Sequence, residues 1–138
     1  RNLQDETGGF NTFIPLKFRN GDNDMSHVPE SGVVEDFRVY AIARLYLDNF
    51  PHIKSFWIMN TAPVTQCALW YGADDVDGTI MEYEIIRDPE RDRKQVLTSR
   101  QLVEMIIEAG RDPVERGEPL RLRRRVLGVC TDRIERRA

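Results

Sequence analysis

Two cysteines and two histidines are all that these 138 residues contain of the soft metal ligands, and their spacing excludes most of what they could do. Cys67 and Cys130 stand 63 positions apart with no zinc or disulfide spacing, so both read as free thiols in a reducing cytosol. His27 and His52 form no paired metal motif. A Walker loop, a GxGxxG fingerprint and a nucleophile elbow are all missing, which sets aside the commonest nucleotide and hydrolase chemistries. No apolar run approaches the ~18 residues that a membrane span needs. The first residues lack the basic start and apolar core of a signal peptide. The net charge of −3 asks for neither a nucleic-acid nor a membrane partner.

What is present is enough for one ordinary domain: 41% of residues are hydrophobic and 31% charged. The order of elements is the main signal. Gly8 and Gly9 mark a turn, reached without a complete helix before it, and Phe10 to Phe18 reads as a first strand. Pro15 should end or bulge its pairing, because proline has no N–H for the ladder. Residues Arg19 to Gly32 form a long polar surface loop. Val33 to Asn49 is a helix, with Val34, Phe37, Ala41 and Leu45 as its apolar stripe and Ile42 beside it. Asn49 and Pro51 stop that helix, and Ile53 to Met59 follows as a buried strand. A helix opened by Pro63 closes at Gly72, and Val76 to Met81 is the third strand. Arg87 to Lys94 is a solvated charge cluster. Thr98 caps the last helix, with Gln101 completing a capping box. Leu102, Met105, Ile106 and Ala109 form its buried face, and Gly110 and Pro113 end it.

Strands alternating with helices imply an α/β fold built on a parallel sheet. Residues 1–116 make three strand–helix units, and 117–138 an irregular tail. From Arg111 to Ala138 there are nine arginines against five acids, a balance of +4, where the residues before balance −7. With no aromatic interleaved for base stacking, this is read as a poorly ordered end rather than a nucleic-acid surface.

In a parallel barrel, chemistry gathers at the C-terminal ends of the strands. That rule selects Pro15, Leu16, Lys17 and Phe18 on the first strand, Asn60 and Thr61 after the second, and Asp77 and Thr79 on the third. Asn60 suits a substrate carboxylate or ribose, and equally suits a helix cap. Asp77 and Thr79 share a face of an extended segment. Asp74 and Asp75 precede that strand and read as turn and capping residues. His52 sits at the opposite, stabilising end, where a structural role is commoner, whereas His27 lies in the long loop after the first strand. Trp57 and Trp70 read as packing residues.

Four phrases carry a resemblance over Leu3 to Glu115: QDETGGFNTFIPLKF (Gln4 to Phe18), ARLYLDNFPHIKSFWIM (Ala43 to Met59), LWYGADDVDGTIME (Leu69 to Glu82) and EAGRDPVER (Glu108 to Arg116). Together they resemble the C-terminal part of the barrel in the radical S-adenosylmethionine enzymes of futalosine-pathway menaquinone biosynthesis, a group similar to the deazaflavin-cofactor synthases. DDVDGT favours the members that make aminodeoxyfutalosine over those that make its cyclic dehypoxanthine relative. The resemblance implies part of a (β/α)8-type barrel and a transferase. In the full-length enzyme, S-adenosylmethionine and a 4Fe-4S cluster would supply a 5′-deoxyadenosyl radical that adds to the enolpyruvyl double bond of 3-[(1-carboxyvinyl)oxy]benzoate. It implies Pro15 and Leu16 as cofactor contacts and Asn60, Asp77 and Thr79 as substrate contacts. No CxxxCxxC occurs here, so no metal ligand is assigned in this chain.

A full barrel needs roughly 250 residues, and this chain begins with Arg. It is therefore expected to be a piece of a longer enzyme, inactive alone, with the family pattern lost after Arg116 as a frameshift would lose it. The other reading is a non-catalytic half-barrel that persists by pairing with a second chain or with itself.

Overall fold

The computed structural model describes residues 1–18, 20, 23–79, 96–117 and 121–122. In chain order these form α1 (Asn2–Thr7), β1 (Thr12–Phe13), α2 (Val33–Tyr46), β2 (His52–Ser55), α3 (Trp57–Asn60), α4 (Ala62–Ala68), β3 (Asp75–Val76), α5 (Ser99–Glu108), β4 (Arg116–Gly117) and β5 (Arg121–Leu122). β1, β2 and β3 lie side by side in sequence order, all parallel, with Thr12 opposite His52 and Lys54 opposite Asp75. Parallel neighbours need a crossover: α2 supplies the first, α3 and α4 the second.

The expected α/β fold with a parallel sheet is present, but each strand is shorter than its apolar run. β1 stops at Phe13, two residues before the proline that cannot join a ladder. β2 stops at Ser55, and Trp57, Ile58 and Met59 bury themselves on one turn of helix instead. A short apolar run fits a strand buried on both faces and a buried helical turn equally well. β3 pairs at Asp75 and Val76, so Val76 is the one residue of the expected strand that joins the ladder among the described residues; Ile80, Met81 and the Arg87 to Lys94 cluster lie outside them. At the other end, Gln4 makes a short helix where none was expected. Its amide clasps Phe10, donating to the carbonyl at 2.9 Å and accepting from the N–H at 2.8 Å, while left-handed Gly8 closes the turn.

α2 corrects the sequence reading. Of the expected stripe, Val34, Ile42 and Leu45 are 63%, 63% and 80% exposed, and the buried residues are Asp36, Tyr40 and Ala43. The helix is apolar on nearly every side, so hydrophobicity alone does not choose its face. Specific bonds choose it: Tyr40 reaches Ser55 of β2, and Asp36 pairs with Lys17. α5 behaves as expected. Thr98 and Gln101 form the capping box, and Leu102, Met105 and Ile106 are buried. α5 is tied to the α4 region by Gln66 donating to the Met105 carbonyl at 3.0 Å and Trp70 to the Ala109 carbonyl at 2.8 Å.

The tail also differs from expectation at its start. β4 and β5 form an antiparallel ladder that straddles the 116/117 boundary, pairing Arg116 with Leu122. Residues 123–138 lie outside the described residues. Among the described residues no helix is long and apolar enough to cross a membrane.

Candidate functional site

Past Phe13 the chain leaves the sheet and runs over the start of α2. There Lys17 Nζ lies 2.8 Å from Asp36 Oδ2, and Ser31 Oγ donates to Asp36 Oδ1 at 2.8 Å. Both charges are largely out of water, and each is matched by a partner, as buried charges must be. Between this pair and the end of α3 opens a cleft of about 360 Å³, lined by Pro15, Leu16, Asp36, Val39, Tyr40 and Asn60 among others. That volume lies within the range of small-molecule sites.

Asn60 ends α3 and is buried. It caps no helix through its side chain; its Nδ2 donates to Tyr40 Oη at 2.7 Å. Tyr40 Oη in turn donates to Ser55 Oγ at 3.1 Å, and Ser55 Oγ lies 2.9 Å from Thr65 Oγ1. This neutral chain crosses from the cleft wall through the core to α4. Burial pushes the Tyr40 phenol above its ordinary range, partly offset by the Ser55 hydrogen bond, with the Asp36 charge adding to the rise. The next residue, Thr61, has φ 71° and ψ 154°. A β-branched residue rarely takes that conformation, which costs of order 1–3 kcal/mol. The tight turn brings Asn60 to the cleft and starts α4 at once.

The opposite face of the sheet is built differently. Ser55 and Ile53 face the helices, so Lys54 between them faces away. Its Nζ lies 3.1 Å from Asp77 Oδ1 and 3.7 Å from Asp75 Oδ2, and Thr12 Oγ1 approaches that same Asp75 oxygen at 3.4 Å. One residue earlier, Asp74 turns the other way. It accepts from Ile53 N–H at 2.7 Å, pairs with Arg44 and lies 3.1 Å from His52 Nδ1. His52 thus sits in a cross-tie at the N-terminal end of the strands.

Of the five residues assigned from the sequence, Pro15, Leu16 and Asn60 line the cleft. Asp77 belongs to the Lys54 group, and Thr79 is exposed and outside the cleft lining. His27 is also exposed. Sequence reasoning passed over Lys54, Tyr40 and Asp36. Lys54 had a signal, since it is the one charge in a stretch read as a buried strand. Tyr40 had none, because its value lies in two partners from distant elements.

The family model described as the CofH/MqnC C-terminal region matches residues 7–127. The chain belongs to that family. The match runs past Arg116, where the family pattern was expected to fail. Within it, the chain is 48% identical over 122 residues to an aminodeoxyfutalosine synthase of Thermus thermophilus, covering 84% of this chain and 32% of that protein. It is 39% identical over 127 residues to the aminodeoxyfutalosine synthase of Streptomyces coelicolor, covering 84% of this chain and 33% of that protein. Against the cyclic dehypoxanthine futalosine synthase of Streptomyces coelicolor the identity is 33% over 116 residues, covering 84% of this chain and 29% of that protein. The chain thus spans about a third of the length of the curated relatives it matches.

Family membership raises the question of which groups these residues could hold. Among the described residues no three His, Cys, Asp or Glu side chains gather as a metal site, Cys67 is half-buried on α4, and Cys130 lies outside them. They do not fit a cluster that needs three cysteines. An adenosyl-sized ligand is a different matter, since the cleft combines apolar walls with the buried polar groups of Asp36, Tyr40 and Asn60.

Proposed function

We propose that this chain is the barrel portion of an aminodeoxyfutalosine synthase that contacts the adenosyl group and the substrate. The whole enzyme would join a 5′-deoxyadenosyl group to the enolpyruvyl carbon of 3-[(1-carboxyvinyl)oxy]benzoate in menaquinone biosynthesis. The observation that carries the reading is the 48% identity to the Thermus synthase, against 33% to the cyclic dehypoxanthine futalosine synthase. S-adenosylmethionine would supply the radical group, with the cluster held by cysteines that these residues do not provide.

In this reading Pro15 and Leu16 form the wall against which the adenosyl group lies. Their cleft, roofed by Asn60, supports it. Asn60 orients a substrate or ribose oxygen, Asp77 accepts a hydrogen bond at the end of β3, and Thr79 offers a hydroxyl beyond it. The walls exclude water, which protects a reactive intermediate from quenching. The enzyme would work in the reducing cytosol, with the rest of the barrel as its necessary neighbour, either in one polypeptide or as a second chain or copy.

A chimaera tests the reading. The matched third of the Thermus synthase is replaced by this chain, and the product is assayed anaerobically with S-adenosylmethionine and the enolpyruvyl ether. Aminodeoxyfutalosine formation is expected. A stably folded chimaera that made none would overturn the reading.

A further inference from the structure

A parallel sheet covered by helices is normally apolar in its strands. The face of β1–β2–β3 turned towards α2 and α4 follows that rule, with Ile53 and Val76 in the core and Ser55 satisfied by Tyr40 and Thr65. The other face carries Thr12, Lys54, Asp75 and Asp77 across all three strands. Asp75 is only 2% exposed, and the Lys54 and Asp77 side chains are 19% and 21% exposed. Ions this far out of water gain little net stability, and well-packed apolar residues in their place are often neutral or better. Packing alone therefore does not explain a lysine in the middle strand.

The geometry shows what the lysine does. Lys54 is anchored from below by Asp75, which Thr12 braces from β1. Its ammonium then reaches one oxygen of Asp77, just past the paired part of β3. The second oxygen, Oδ2, accepts no hydrogen bond among the described residues. We infer that Lys54 is a positioning residue: it holds Asp77 in one rotamer so that Oδ2 accepts from a hydroxyl or ammonium group of the bound reactant. This rests on the functional reading above, in which Asp77 accepts a hydrogen bond from the reactant at the end of β3.

The test uses the intact enzyme containing this chain, assayed anaerobically with S-adenosylmethionine and the enolpyruvyl ether. Lys54→Met, Lys54→Arg, Asp77→Asn and the double variant Lys54→Met/Asp77→Asn are compared. Lys54→Met leaves Asp75 and Asp77 without their cation and should melt lower, and the protein that remains folded should lose about 10- to 100-fold in kcat. A misheld reactant should also raise the ratio of 5′-deoxyadenosine to aminodeoxyfutalosine, which a purely structural lysine would not. Lys54→Arg should recover part of the coupling. The double variant should be no worse than Asp77→Asn, because Lys54 acts through Asp77. If Lys54→Met does not fold, the same cycle is read on Lys54→Gln. Normal coupling in the lysine variants, or additive losses in the double variant, would overturn the inference while leaving the function intact. A wild-type enzyme that formed no aminodeoxyfutalosine would overturn both.

Discussion

Asp74 and Asp75 are neighbours in the chain and opposites in the fold. Asp74 points to the helix side, where the Ile53 N–H, Arg44 and His52 take up its carboxylate and tie α2, β2 and β3 together. Asp75 points the other way, where Thr12 and Lys54 meet it and pass its influence to Asp77. Alternation along a strand is enough to separate them. The first group closes a corner of the fold at the N-terminal end of the strands. The second faces the side that a packed sheet would leave apolar, and it leads to the C-terminal end of the strands, where parallel α/β sheets place their ligands. One short acidic run therefore serves two purposes, and the lesson is to ask of each charge which face it takes and who answers it.

The largest break in the helix side should come from Gly72→Ala. Gly72 has φ 111°, and a Cβ there would stand 2.7 Å from Arg44 Cβ. Strain and displacement of the arginine that holds Asp74 and the Gly72 carbonyl should cost about 3 kcal/mol, read as a lower denaturant midpoint. The properties of the Lys54 side should be unchanged in whatever protein remains folded.

Tyr40→Phe should come next, at about 2 kcal/mol, because it leaves Asn60 and Ser55 without the hydroxyl that joins them. It also has a pH signature. The phenol titrates higher in the folded protein than in the unfolded chain, so its stabilisation is whole below the unfolded value of about 10 and is lost as pH rises through the folded value. Wild-type stability should fall above about pH 10 more steeply than that of Tyr40→Phe. Equal slopes would show that Tyr40 is not the group responsible.

The smallest effect should be that of Thr98→Ala, which removes the capping box of α5. A loss of about 1 kcal/mol is expected, with turnover of the intact enzyme unaltered. A change in turnover would mean that α5 reaches the site, and the two-sided division would need redrawing.

How much of this was legible beforehand follows a physical rule. The order of strands and helices was readable because hydrophobic runs and breakers are local. The capping box and buried face of α5 were readable for the same reason: an amphipathic helix declares its face. α2 did not, since apolar residues surround it, and its orientation was settled by Tyr40 and Asp36 bonding partners at the ends of other elements. Strand lengths were overread because an apolar run does not distinguish a strand from a buried helical turn, as Trp57 to Asn60 shows. For the site, strand-end logic led to Pro15, Leu16 and Asn60, which line one cleft. It gave no warning that Asp77 would answer to Lys54, whose partners lie on a neighbouring strand.

The central claim is that the two faces divide the labour, and the neighbouring aspartates test it most directly. Asp74→Asn and Asp75→Asn are to be compared in the intact enzyme for melting temperature and for kcat/KM in aminodeoxyfutalosine formation. Asp74→Asn should melt markedly lower, with about 2 kcal/mol of stability lost from its ion pairs, and should turn over normally once folded. Asp75→Asn should hold or raise the melting temperature and lose turnover. Two variants that behaved alike, or that exchanged these effects, would contradict the account.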